Sequence, residues 1–166
     1  MRNPLLGVWA VFFLGSFVYL FLISGSLPDH LAVHFDASGH PNGFQSKDTF
    51  LSTFPLFVFL INIPLTAIYF LIGRIPSQMI HVPRKEFWLS RPELKGLFDQ
   101  KVRMVMGLVG ILCNFAFLFT VQVIYQANVS NPVFAVPLNG GVFILLTLVV
   151  LLIGAAFIIM RPPAEG

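Results

Sequence analysis

Four stretches without a single charged residue, at about 5–23, 50–72, 104–127 and 142–160, constrain this chain more than any other feature. Each is close to or above the roughly 18 residues that bridge the hydrocarbon of a bilayer. At that depth no water is present to bond backbone N–H and C=O groups, so a span must satisfy them internally, and a helix does so. Charged residues make up only 10% of the chain and hydrophobic ones 57%. A soluble domain carries about 25% charge. The expected fold is therefore an all-α membrane protein: a single integral domain over residues 1–166, built as a four-helix transmembrane bundle. Arg2, the first apolar run and Ser24-Gly25-Ser26 together also fit a signal peptide. The run outlasts the usual h-region of about 7–15 residues, so a retained helix is expected.

The basic residues set the orientation. Arg2, Arg161 and seven Lys or Arg between residues 73 and 103 lie on one side of the spans, and Lys47 lies on the other. The positive-inside rule then predicts cytoplasmic termini, a cytoplasmic loop at 73–103 and an extracytoplasmic loop at 27–49. The net charge of +3 is explained by these flanking residues, so no nucleic-acid partner is expected; membrane lipids are. No span has an acidic or basic residue at mid-depth, which argues against an ion-coupled transporter. Asn62, Asn114, Thr120 and Gln122 are expected to hydrogen-bond between helices. Pro64 is expected to kink span two. Cys113 reads as a small core residue, and Asn128-Val129-Ser130 as a chance match to a glycosylation acceptor.

The second loop shows further order. Ser90-Arg91-Pro92-Glu93 has the form of a capping box, which predicts a helix running from near Arg91 into span three. Asp99 and Arg103 are spaced for an i,i+4 ion pair. Phe87 and Trp88 are placed as interfacial anchors, and Arg84, Lys85 and Trp88 also offer a contact for a partner or for anionic lipid.

The first loop is richer in turn chemistry than a connector requires. Leu31, Val33 and Phe35 alternate with Ala32 and His34 at the period of a strand. Asp36-Ala37-Ser38-Gly39 and Pro41-Asn42-Gly43 are turn sequences, and positive φ is expected at Gly39 and Gly43. The result would be a short strand-and-turn lid between helices one and two, with Leu31, Val33, Phe35 and Phe44 facing the bundle. His34 either bonds turn backbone or serves as a metal ligand or pH sensor with His30, His40, Asp29 or Asp36. On a strand His30 and His34 share a face but sit about 13 Å apart. There is no Cys pair and no His-Glu-x-x-His, so neither a metal nor a cofactor is expected.

These residues resemble a family. Leu27-Pro28, Val33-His34-Phe35, Gly39-His40-Pro41-Asn42-Gly43-Phe44 and Ser46-Lys47 are similar to the marks of a bacterial membrane domain of unknown function at the front of SdpI-type immunity proteins. Val82–Leu89 is more weakly similar to a proline–basic–aromatic–Trp-Leu stretch in related membrane proteins. The resemblance implies a non-catalytic protein of the bacterial cytoplasmic membrane. It would bind a peptide toxin or a partner membrane protein, in toxin resistance or envelope signalling, through Pro28, Asp29, His34, Phe35, Gly39, Pro41, Gly43, Phe44, Ser46 and Lys47. A homodimer would suit so thin a bundle. The alternatives are a metal-dependent enzyme using the His/Asp-rich loop, or an accessory subunit of a transporter.

Overall fold

A computed structural model describes residues 4–36, 38–129, 149–150, 152–154, 156–157 and 161. Three of its helices are long and apolar enough to cross a membrane. Helix α1 is Pro4–Ser24, α2 is Lys47–Leu71 and α4 is Pro92–Val129; the short α3, Lys85–Leu89, precedes α4. Between α1 and α2 stands an antiparallel hairpin of β1, His30–Phe35, and β2, Pro41–Ser46. Most of the predicted fourth span, 142–160, lies outside the described residues. Arg161 is described, and its carbonyl accepts from Lys101 Nζ at 3.4 Å, which puts it at the same end of the bundle as the start of α4.

α1 and α4 run parallel. Leu5 lies against Gly107, Trp9 against Gly110 and Tyr19 beside Gln122, so both numbers rise together. α2 runs against both, with Phe59 beside Phe13 and Phe17, and Phe54 beside Phe117. The hairpin and the C-terminal end of α4 therefore share one end of the bundle, and the basic segment occupies the other. The α1–α4 approach is close because Gly107 and Gly110 lack side chains. A Cβ on Gly110 would stand 2.3 Å from the Trp9 ring. Small residues are how helices gain contact in lipid, where no hydrophobic force drives them together. Outward-facing Val11, Leu14, Val18, Phe21 and Leu22 on α1 are exposed, as are Leu56, Phe57, Leu60 and Ile63 on α2. Such a surface is suited to acyl chains.

Polar residues lock the middle of the bundle. Asn62 and Asn114 exchange amide bonds: Asn62 Nδ2 donates to Asn114 Oδ1 at 3.1 Å and Asn114 Nδ2 to Asn62 Oδ1 at 2.8 Å. Each amide also donates within its own helix, to Val58 O and Gly110 O. Trp9 Nε1 donates to Asn62 Oδ1 at 2.7 Å, so one asparagine joins all three spans. Tyr19 donates to Gln122 nearer the hairpin end. Thr120 departs from expectation: its hydroxyl donates to Ala116 O within α4 and, among the described residues, makes no bridge between helices.

The basic segment folds back on α4. Ile72, Ile80, Trp88 and Phe98 form a buried cluster. Trp88, expected at the lipid interface, is only 1% exposed; it packs on Phe98, and Lys101 Nζ lies over its ring at 5.8 Å. The long α4 starts as expected, but not through a capping box. The Ser90 hydroxyl donates back to Phe87 O, ending α3, and Arg91 O accepts the first α4 bond from Lys95 N. Nor do Asp99 and Arg103 pair. Asp99, buried, takes both its contacts from Lys95, and Arg103 Nε donates to Tyr69 O at the end of α2. Lys95, one turn earlier, already occupies both Asp99 oxygens, and a backbone carbonyl at a helix C-terminus is a strong acceptor for the Arg103 guanidinium.

Candidate functional site

The loop that carries the family-like motif is held at both ends and along one edge. Leu27 is buried, and Lys47 Nζ donates to its carbonyl at 3.1 Å. Lys47 N donates to Asp29 O, closing the base of the hairpin. Ser46 is the N-cap of α2: its hydroxyl accepts from Thr49 N at 3.2 Å and pairs with Thr49 Oγ1 at 2.7 Å. Ser46 and Lys47 are thus fasteners, satisfying a helix terminus and a turn carbonyl that would otherwise lack partners.

The glycines divide the remaining work. Gly39 has φ 84°, the left-handed conformation its turn demands. Gly43 does not take positive φ as expected. Its requirement is space: a Cβ there would come within 2.9 Å of His34 Cβ and 3.0 Å of its Cδ2. His34 faces Gly43 across the hairpin, at a register shift where Val33 is the extra residue, and its ring rests on the glycine. Among the described residues the imidazole makes no hydrogen bond, so its contact is packing and not the backbone bond expected. Asp36 organises the tip: its Oδ1 accepts from Ser38 N at 2.8 Å and His40 N at 3.0 Å. These backbone donors, His40 first, hold its carboxyl below the ordinary carboxylate pKa.

The two hairpin faces differ. Leu31 and Ala32 are buried on the bundle, and Val33 and Phe35 are half-buried. Phe44, expected to face down, is 65% exposed and points away. The register explains this: Phe44 lies opposite Ala32, and directly opposite residues share a face, so its ring projects on the face away from Leu31. Pro28, Asp29, Pro41 and the histidines His30, His34 and His40 are also exposed. His40 Nδ1 lies 3.9 Å from Asp36 Oδ2, but among the described residues no three His, Cys, Asp or Glu side chains gather as a metal site.

Asn128, on the final turn of α4, holds the hairpin down. Its Oδ1 accepts from Ala32 N at 2.8 Å and its Nδ2 donates to Ala32 O at 2.9 Å, with a second donation to Ile124 O. One amide side chain thereby replaces a neighbouring strand. Sequence reasoning read this residue only as part of a chance glycosylation tripeptide and gave it no structural role. A signal was present: Gly107, Gly110, Asn114, Val121 and Asn128 recur every three, four or seven residues, which marks one helix face.

Residues 11–60 are similar to a domain of unknown function, DUF1648. The DUF1648 match takes in most of α1, the whole hairpin and the first half of α2, so it covers the motif and the two helices that support it. No curated protein and no solved structure matches the chain.

At the other end, Arg84 is exposed with φ 56°, Lys85 is half-buried, and Trp88 is turned inward. Of that trio, the two cations alone face outward. An apolar groove of about 490 Å³ lies between α1 and α2, lined by Leu6, Phe13, Phe59 and Ile63, with Trp9 and Asn62 among its walls. Asn62 has spent both donors and both acceptor positions within the bundle, so its amide offers the groove no polar contact.

Proposed function

We propose that this chain is a non-catalytic protein of the bacterial cytoplasmic membrane whose hairpin end receives a peptide or a partner membrane protein. The hairpin faces outside the cell and both termini lie in the cytoplasm, the orientation that nine basic residues at the opposite end favour. One observation carries the reading. The motif hairpin is fastened through Lys47 and Ser46 and by Asn128 of α4, and it leaves Phe44 and three histidines exposed. A loop fastened at this many points, with an exposed aromatic ring, fits recognition better than simple connection. The likeness of the motif to the front of SdpI-type immunity proteins supports toxin resistance or envelope signalling as the setting.

The test is deletion followed by challenge with amphipathic peptides. Cells lacking the protein should become sensitive to at least one peptide, and restoring the wild-type gene should reverse this. Unchanged sensitivity across a broad panel would remove the reading.

A further inference from the structure

The hairpin has two edges, and the structure treats them differently. Lys47 N donates to Asp29 O, so residues 29 and 47 form a hydrogen-bonded pair. In an antiparallel ladder such pairs alternate with pairs whose N–H and C=O groups point outward. With Leu31 opposite Gln45 and Ala32 opposite Phe44, the pair 31/45 is bonded inward and the pair 32/44 points outward. The Asn128 bonds to Ala32 N and O establish the same phase independently. On β1, then, Asn128 occupies the outward groups. On β2 the corresponding N–H and C=O of Phe44 point away from the hairpin, and among the described residues no bond reaches them. Ser46, opposite His30, is in the same phase, so its N–H points outward as well. Pro41 lacks an N–H and the start of α2 closes the other end, so this open edge is short.

Charge selects what can lie there. Asp29, Asp36 and Asp48 are exposed at this end, while the ammonium of Lys47 is engaged by Leu27 O. We propose that the β2 edge at Phe44 is a strand-addition site for an extended cationic peptide segment, whose backbone pairs with Phe44 and whose alternate apolar side chain packs on its ring. The proposal rests on the peptide-binding reading above and names its geometry. An unpaired edge supplies main-chain bonds to any extended segment, and the side chains beside it set preference.

The probe is a capped ten-residue peptide of alternating Lys and Val, added to the full-length protein in phosphatidylcholine nanodiscs. Binding should slow hydrogen exchange at the Phe44 amide at least tenfold and leave the Ala32 amide unchanged. The same peptide N-methylated at every Val, which removes one edge of donors, should bind at least tenfold more weakly. Phe44→Pro removes the outward N–H without touching the inward ladder, and should weaken binding similarly; Phe44→Ala, which keeps the backbone, should retain exchange protection at residue 44. Binding that ignores both N-methylation and Phe44→Pro would overturn the edge assignment while leaving peptide recognition standing. Absence of binding by the Lys/Val peptide at millimolar concentration would also overturn it, whereas the peptide-binding reading falls separately, on the challenge experiment.

Discussion

Asn62 shows how much one side chain can do in lipid. Its amide meets Trp9, Asn114 and its own helix at once, and an amide left unpaired at that depth has no water to turn to. Interhelical bonds in membranes contribute only about 0.6–1.7 kcal/mol each, because the separated helices find other partners. Asn114→Ala should therefore destabilise the bundle by about 1–2 kcal/mol in a detergent-unfolding titration. Asn62→Leu combined with Asn114→Leu should cost less than the sum of the single changes, since removing both partners leaves neither orphaned. Strict additivity in that cycle would show that the two amides are not coupled. Gly110→Ala belongs to the same scale. Its Cβ would collide with a rigid indole, and a loss of about 1–3 kcal/mol is expected from the same titration. Trp9→Leu should offset part of it.

The hairpin depends on an element that is remote in sequence. Two strands alone are marginal in water, and this pair gains its stability by lying on the end of α4. Asn128→Ala would leave Ala32 N–H and C=O without their partner. Exchange at the Ala32 amide should rise by an order of magnitude or more, with the transmembrane helices unaffected. Unchanged protection would mean that the strand is held by burial of Leu31 alone. The tip responds to pH. Because backbone donors lower the folded pKa of Asp36, its contribution to tip stability is full above the ordinary carboxylate range and is lost as pH falls through the folded value. The Asp36 carboxyl resonance should accordingly titrate below the ordinary carboxylate range, and the Ser38 and His40 amides should lose protection over the same interval.

At the scale of the molecule, three spans place the hairpin and the basic segment at opposite ends. With Cys113→Ser as background, a cysteine replacing His40 should react with a membrane-impermeant maleimide in intact cells, and one replacing Arg91 should react only after permeabilisation. The reverse pattern would invert the orientation proposed. Helix α4, at 38 residues, extends about 57 Å at 1.5 Å per residue, well beyond a hydrocarbon core of about 30 Å. A helix of that length reaches past the hydrocarbon, its first turns carry the charged residues Glu93, Lys95, Asp99, Lys101 and Arg103, and the Trp88 cluster packs against them. Trp88→Ala should thus loosen the basic end, exposing residues 72–88 to limited proteolysis, while the polar network around Asn62 persists.

Much of this was legible in the chain alone. Uncharged runs of sufficient length yield helices in lipid whatever their neighbours, so α1, α2 and α4 could be read within a few residues. β1 and the turn at Gly39 were legible from alternation and turn chemistry, because both are local effects; Pro41-Asn42-Gly43, expected as a turn, instead opens β2, because pairing with Phe35 and His34 holds it extended. The partners were not. Which carboxylate Lys95 meets, which carbonyl receives Arg103, why Gly43 must be glycine and what Asn128 holds are all decided by residues far away in sequence. Phe44 faces outward because the hairpin register sets it opposite Ala32 and not Leu31, and Trp88 faces inward because α4 offers it Phe98. Periodicity reports which faces a segment has; only the packed structure decides what each face meets, since a hydrogen bond or a van der Waals contact acts over a few ångströms of space and takes no account of distance along the chain.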